Sequence, residues 1–353
     1  MSTLAPVVSR PANYMEGTIV RDGLRDIMDR ESARAAKLVA DWLARGLEHV
    51  YWVGCGGSFA VLEPPKWLAD RYSTLAMDRY SGWEFVRRAP ARLSPRSAVV
   101  LGSHSGKTEE VLVALQLAKS RGAPSVSFSQ AGTPLSQGAD VALTYNSPAT
   151  NLSKLLLGYL IVTELLIQRD RQTVGTELKN ALQTLPEAIH AAKQVTEARA
   201  RELAHQYLDA QNFYVIGTGL LAGLAYQFAN CNLLEMQWIH STSLNAAEFQ
   251  HGPLEIVQPD LPMIFLLGAD ETRAETERAM EFSRRHGAKI IAFDLKEMPG
   301  IHPLLAPFGV HLPLQWFNWY LGVERNHPVS TRRYMGKVPY FYGQHRGNRR
   351  QLH

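Results

Sequence analysis

The sequence predicts an α/β protein built from two tandem, doubly wound, parallel-sheet domains, with an N-terminal helix and a C-terminal tail. Three observations predict it. The chain has 353 residues, more than one hydrophobic core ordinarily supports. Its composition, 46% hydrophobic and 20% charged, is that of a globular protein with a sizeable core. A pattern of apolar strand, glycine-bearing turn and helix occurs in the first half and again in the second, and such alternation argues for parallel sheets covered by helices.

The elements follow in order. Met15 to Arg45 reads as one long helix, with Ile19, Leu24, Ile27, Met28, Ala33, Ala36, Leu38 and Val39 at its apolar positions. HVYWVG is a buried strand that runs into the turn Gly54-Cys55-Gly56-Gly57-Ser58 and a helical stretch, Val61 to Arg71. A short strand is expected over Leu75 to Asp78. SAVVLG, the loop Ser103 to Thr108 and EEVLVALQLAKS form a second strand, loop and helix. PSVSFSQ and ADVALTY are further strands, and Asn151 is a candidate cap for a helix running to about Gln168. Glu177 to Leu208 reads as one or two linker helices. NFYVIG, LPMIFLL and AKIIAFD then repeat the first-half strands, with helices near Glu271 to Arg285 and Leu314 to Leu321. The implied boundaries are 1–46 for the N-terminal extension and helix, 47–170 and 171–325 for the two domains, and 326–353 for the tail.

The bulk properties narrow the function. The formal net charge is +4, with a basic cluster in the tail at Arg332, Arg333, Lys337, Arg346, Arg349 and Arg350. No aromatic-basic stripe or helix-turn-helix pattern accompanies it, so nucleic-acid binding is not expected, and basic residues closing over an anionic small molecule fit as well. Cys55 and Cys231 lack metal-ligand spacing and read as free thiols of a reducing compartment. The N-terminal segment carries no apolar leader and no run looks long enough to span a membrane, so a cytoplasmic protein without a membrane partner is expected.

The halves differ where chemistry belongs. In parallel sheets, ligands gather beyond the carboxyl ends of the strands. The first-half loop, Ser103-His104-Ser105-Gly106-Lys107-Thr108, sets three hydroxyls at a helix start, where free N–H groups and the helix dipole favour an anion. Its second-half counterpart, Ala269-Asp270-Glu271-Thr272, carries two carboxylates, which repel one. The first half should therefore hold a phosphate. Two rival readings fit less well. Gly-Lys-Thr ends a nucleotide-binding P-loop, but that motif needs a glycine where Leu101 stands. A plain helix cap, with Ser105 as N-cap, explains one serine and not three hydroxyls with a lysine. The turn from Gly54 to Ser58 is a poor dinucleotide fingerprint, yet it permits close ligand approach, and Ser58 adds a donor.

The stretch EMQWIHSTSLNAAEFQHGPLE is the second focus. Glu235 lies in an apolar helical run, where burial would raise its affinity for a proton and suit it as a general base. The alternative is a structural helix carboxylate paired with an N–H or a basic group. His240, Glu248 and His251 follow on an expected loop, but their spacing matches no familiar ligand motif, so acid–base work is the better reading than metal binding.

These residues resemble the sugar-isomerase (SIS) domain family over nearly the full two-domain length, which implies flavodoxin-like domains. The carrying segments are SHSGKTEE, LLEMQWIHSTSLNAAEFQHGPLE and ERNHPVSTRRYMGKVPY. The first two are similar to the isomerase half of glucosamine-6-phosphate synthase. There a catalytic glutamate precedes the histidine of a Glu-x-x-His-Gly-Pro run by the same sixteen positions that separate Glu235 from His251. No glutaminase segment precedes this match, and the tail looks most like the fructosamine-6-phosphate deglycases, which cleave phosphorylated Amadori compounds to glucose 6-phosphate and an amine.

The resemblance implies phosphate binding by Ser58, Ser103, His104, Ser105 and Thr108. It implies ring opening by His251 reaching in from a neighbouring subunit of at least a dimer, proton transfer by Glu235, and help from Lys337, whose alternative is a solvated tail lysine. It implies no cofactor and no metal. Ketose/aldose-phosphate isomerases, amino-sugar-phosphate deaminases and sugar-phosphate-sensing regulators remain the alternatives. The regulators that bind DNA carry an N-terminal DNA-binding domain, for which the residues ahead of the first strand are too few.

Overall fold

The structure, a computed structural model, describes residues 13–338. The tail residues Arg346, Arg349 and Arg350 and the N-terminal segment through Ala12 lie outside the described residues.

Two strands set the first sheet. β1 (His49–Gly54) and β3 (Ser97–Gly102) are buried at every position, as strands covered on both faces must be. They pair in parallel from His49 with Ser97 to Gly54 with Gly102, so both end level. With β2 (Ala76–Tyr80), β4 (Ser125–Ser129) and β5 (Val141–Thr144) the order is β2-β1-β3-β4-β5, all parallel. The order reverses between β1 and β3, and the crevice beyond those two strand ends is where such sheets bind ligands. Into it project the glycine turn and the Ser103–Thr108 loop. The helices of this half are α1 (Ile19–Ala44), α2 (Gly57–Val61), α3 (Glu63–Tyr72), α4 (Gly82–Arg88), α5 (Glu109–Ser120), α6 (Pro134–Gly138) and α7 (Thr150–Gln168).

The second sheet is smaller, with β6 (Asn212–Gly217), β7 (His240–Asn245), β8 (Pro262–Leu267) and β9 (Lys289–Asp294) in the parallel order β7-β6-β8-β9. Its helices are α8 (Thr173–Gln206), which leads in from the first half, α9 (Ala222–Gln227), α10 (Arg273–Arg285) and α11 (Ala306–Glu324). α1, α7, α8 and α11 share one apolar core that reaches both sheets through residues such as Leu38, Leu156, Leu185 and Phe317.

Several expectations need correction. The segment from His240 was expected as loop, yet His240–Asn245 is strand β7. It is a polar, half-exposed edge strand, so no apolar alternation marks it. The linker is one helix, α8, with Pro186 inside it, and α11 likewise continues past Pro313. α7 begins at Thr150 behind Ala149, so Asn151 is not its cap. α7 is also long and apolar enough, by length and composition, to cross a membrane, contrary to the sequence reading. Its residues from Leu152 to Leu166 are all buried in the protein, which makes it a core helix here.

Candidate active site

The Ser103–Thr108 loop is shaped by its own hydroxyls. Ser103 is buried and its Oγ lies 2.8 Å from Thr108 Oγ1, closing the loop from end to end. The Ser103 N–H donates to the Phe128 carbonyl of β4, and Gly106 N–H donates back to Ser103 O. Gly106 has φ +60°, and a side chain there would overlap Thr133 Oγ1 and Cβ, so the loop is pressed against the start of α6. Thr108 takes the N-cap position of α5 without accepting a hydrogen bond from the helix. The capping alternative with Ser105 therefore fails: Ser105 is exposed, and its Oγ accepts from the Lys107 N–H within the loop.

Two further groups border this loop. Ser58, at the second position of α2, is buried, and its Cβ is 3.4 Å from where a side chain on Gly102 would begin. His104 Nδ1 is 3.2 Å from the hydroxyl of buried Tyr145, just past β5. Burial, and secondarily the positive charge of Lys154, hold the His104 imidazole below its ordinary pKa. Asn151, freed from capping, rests its side chain against Gly57, so the start of α7 forms another wall of the crevice.

Glu235 belongs to the second half. It lies on a ten-residue π-helix, Phe228–Gln237, that continues from α9. Wide helical turns of this kind are rare and recur at functional sites. The π-helix ends at Trp238, whose φ of +57° turns the chain into β7. The tail packs on that end: the Arg333 guanidinium lies 4.3 Å above the Trp238 ring and His327 meets its edge. This contact delivers Arg332 to Glu235, with 2.8 Å between guanidinium and carboxylate. The expected burial of Glu235 is not observed, since its side chain is 26% exposed and ion-paired. Asn232 and Leu233 before it are buried, while Glu235 opens with exposed Leu234 to a cleft of about 440 Å³ that Trp238, His240, Arg332 and Tyr334 also line.

Cys231 links the two halves. It lies one turn before Glu235, and its Sγ is 3.8 Å from the position a side chain on Gly56 would occupy. Burial, reinforced by the negative charge of Glu235, pushes its thiol up to about 12, against the opposing charges of Lys154 and Arg332. The glycine turn and the Glu235 helix thus meet at one cysteine.

Two candidates stand apart within the chain. His251 is exposed beyond β7, its ring 3.2 Å from Gln250 Nε2, and no hydrogen bond or ring contact joins it to Glu235 among the described residues. Lys337 is exposed, its backbone N–H donating to Tyr334 O, and its ammonium makes no ion pair among the described residues. The tail residue at Glu235 is Arg332, which sequence reasoning noted only as charge. Lys154 was missed altogether, although a lysine inside LSKLLLGYLIV is a visible anomaly. Among the described residues no group of three His, Cys, Asp or Glu side chains converges as metal ligands do.

The pattern of the SIS domain matches residues 45–169 and 206–299. The chain belongs to the SIS domain family. Within that family it is 36% identical to fructoselysine 6-phosphate deglycase of Escherichia coli (strain K12), across 85% of this chain and 88% of that protein. It is 35% identical to fructosamine deglycase FrlB of Bacillus subtilis (strain 168), across 85% and 95%. Among solved structures, a Bacillus subtilis protein described as a phosphosugar isomerase superposes with a TM-score of 0.82 at 34% identity, over 89% of this chain and 100% of that one. The two parallel sheets are thus a pair of SIS folds, as the sequence reading expected.

Proposed function

We propose that this SIS domain protein is an enzyme that cleaves a 6-phosphorylated fructosamine to glucose 6-phosphate and a free amine or amino acid. The observation that carries the reading is the approach, at Cys231, of the glycine turn that borders the hydroxyl-lined loop to the helix whose carboxylate a guanidinium holds. Its likeness to two deglycases over most of the chain supports the choice of substrate. On this reading residues 47–170 supply the phosphate site, with Ser58, Ser103, His104, Ser105 and Thr108 around the anion. Residues 171–325 supply Glu235.

The chemistry follows from the substrate. In the open-chain ketosamine C1 bears the amine and C2 the carbonyl. Glu235 takes a proton from C1 and gives one to C2 while the nitrogen's proton passes to the C2 oxygen, so the double bond moves from C2–O to C1–N and an imine forms at C1. Water adds to that imine, the carbon–nitrogen bond breaks, and glucose 6-phosphate and the amine leave. Negative charge grows on the C2 oxygen as the C1 proton departs, and a fixed cation nearby lowers that barrier. Arg332 keeps Glu235 oriented, and the tail that carries it also carries Lys337, the candidate for that cation. His251, exposed in a single chain, assists ring opening from a second subunit of a dimer. The enzyme works in the cytoplasm, where Cys55 and Cys231 stay reduced.

The test incubates the protein with fructoselysine 6-phosphate and measures glucose 6-phosphate and free lysine together. Equal release of both is expected, and Glu235→Gln should lower it by about 10²–10⁴ while binding persists. The phosphosugar isomerase likeness favours one competitor. Interconversion of ketose and aldose phosphates without any amine release would replace the deglycase reading with that one.

A further inference from the structure

α7 is apolar and buried, and near its start stands Lys154, only 2% exposed. A lysine this deep is ordinarily matched by a carboxylate, because an unpaired buried charge is costly. Among the described residues its ammonium forms no hydrogen bond and no ion pair. The ring of Tyr145 lies 5.9 Å from its Nζ, measured to the centroid. The hydroxyl of that tyrosine is the one beside His104 Nδ1. Lys154 also acts electrostatically on His104 in the phosphate loop and on Cys231 of the π-helix. The ammonium is therefore directed at the crevice where the two halves meet. Several carboxylates of α7 and the elements packed on it are engaged elsewhere: Glu31 of α1 with Arg30 and Arg34, Glu63 of α3 with Arg79, Glu187 of α8 with Arg25, and Glu164 of α7 itself with Lys179.

We propose that Lys154 is the buried counter-charge of the bound substrate, its ammonium standing behind the phosphate loop and balanced, through Tyr145 and His104, by the anion that loop holds. The inference rests on the sugar-phosphate reading above and deepens it. Lys154 acts through its neighbours, as a positioning residue.

A consequence is coupling between binding and protonation. Burial pulls the Lys154 ammonium down to about 7, so at pH 8 the empty site holds mostly the neutral amine. An arriving dianion favours the charged form, and linkage requires that binding then take up a proton. The other groups facing Lys154 do not imitate this. His104 is held below its ordinary value, the Tyr145 and Cys231 groups are raised, and all three keep their protonation between pH 7.5 and 8.5. Sugar phosphates, with a second pKa near 6, are already dianions there.

The experiment is calorimetric titration of the full chain with glucose 6-phosphate at pH 7.5 and 8.5, and separately with inorganic phosphate at pH 8.5, where it too is a dianion, in buffers of different ionisation heat. Wild type should take up a proton, approaching one per site at pH 8.5, and its affinity should fall several-fold between the two pH values. Lys154→Met and Lys154→Gln should bind with no uptake and with affinity that no longer depends on pH in this range. Tight binding by wild type without proton uptake overturns the inference and leaves the sugar-phosphate reading intact. The same uptake in both variants also overturns it. Failure of wild type to bind either ligand removes the sugar-phosphate reading and the inference together.

Discussion

Replacing Gly106 by alanine tests whether the anion loop depends on its tight fit against α6. Two costs combine at this position. A left-handed backbone at φ +60° disfavours any residue with a Cβ by roughly 1–2 kcal/mol. The added methyl would also lie inside 3.0 Å of Thr133 Oγ1 and Cβ and 3.2 Å from its Cγ2. Overpacking of this kind costs about 1–3 kcal/mol. The sum is about 2–5 kcal/mol. Thr133 cannot swing away cheaply, because its Oγ1 is within 3.2 Å of Ser129 Oγ and Ser136 Oγ and donates to Gln130 O. Truncating it to alanine gives no relief, since the Cβ remains.

Gly132 is the control, with φ +73° and nothing within 4 Å of an added Cβ, so its alanine variant pays the backbone cost alone. Urea unfolding should place Gly106→Ala below Gly132→Ala by the difference, about 1–3 kcal/mol. Shifting the loop also strains the Gly106 N–H bond to Ser103 O, and affinity for glucose 6-phosphate should drop at least tenfold in Gly106→Ala only. If the two variants unfold together and bind alike, the close approach to Thr133 has no role in forming the site.

Other outcomes follow from the same geometry. Ser103→Ala with Ser105→Ala removes two donors near a dianion at roughly 1.5–3 kcal/mol each, so the apparent Michaelis constant should rise at least tenfold while the melting temperature holds; an unchanged constant places the anion elsewhere. His311 is fully buried in α11, and burial alone lowers its pKa to about 3. The unfolded chain protonates this histidine from about pH 6.5 downward while the folded one does not. Its stabilising effect is therefore complete above pH 6.5 and is lost toward pH 3, on the order of 3 kcal/mol by pH 4 at about 1.36 kcal/mol per unit. His311→Leu should flatten that part of the curve from urea melts, and an equally steep variant would refute the assignment. Mixing Glu235→Gln chains with His251→Ala chains should restore part of the activity through hybrid sites, and verified heterodimers without activity would assign both groups to one chain.

The sequence by itself determined the parts that local chemistry controls. Strands such as HVYWVG and SAVVLG are apolar at nearly every position because both faces are covered, and that pattern is visible without neighbours. The glycines and hydroxyls of the Ser103–Thr108 loop follow their strand directly, so the crevice they border was legible as well. Glu235 was legible as a candidate from its apolar surroundings and its interval to His251.

Tertiary structure decided the rest. β7 exists because a polar segment finds a free edge on β6, which no periodicity announces. The exposure of Glu235 depends on the π-helix, whose wider turn faces the carboxylate toward the cleft rather than the core. Its partner, Arg332, arrives from almost a hundred residues later because the tail packs on Trp238. Lys154 looks in sequence like a lone charge in a core helix, and only the fold aims it at Tyr145 and the crevice. Backbone preference and apolar period act between neighbours along the chain, whereas the charges around Glu235 and Lys154 come from segments far apart in sequence, α7, the π-helix and the tail, that approach one another only in the folded protein.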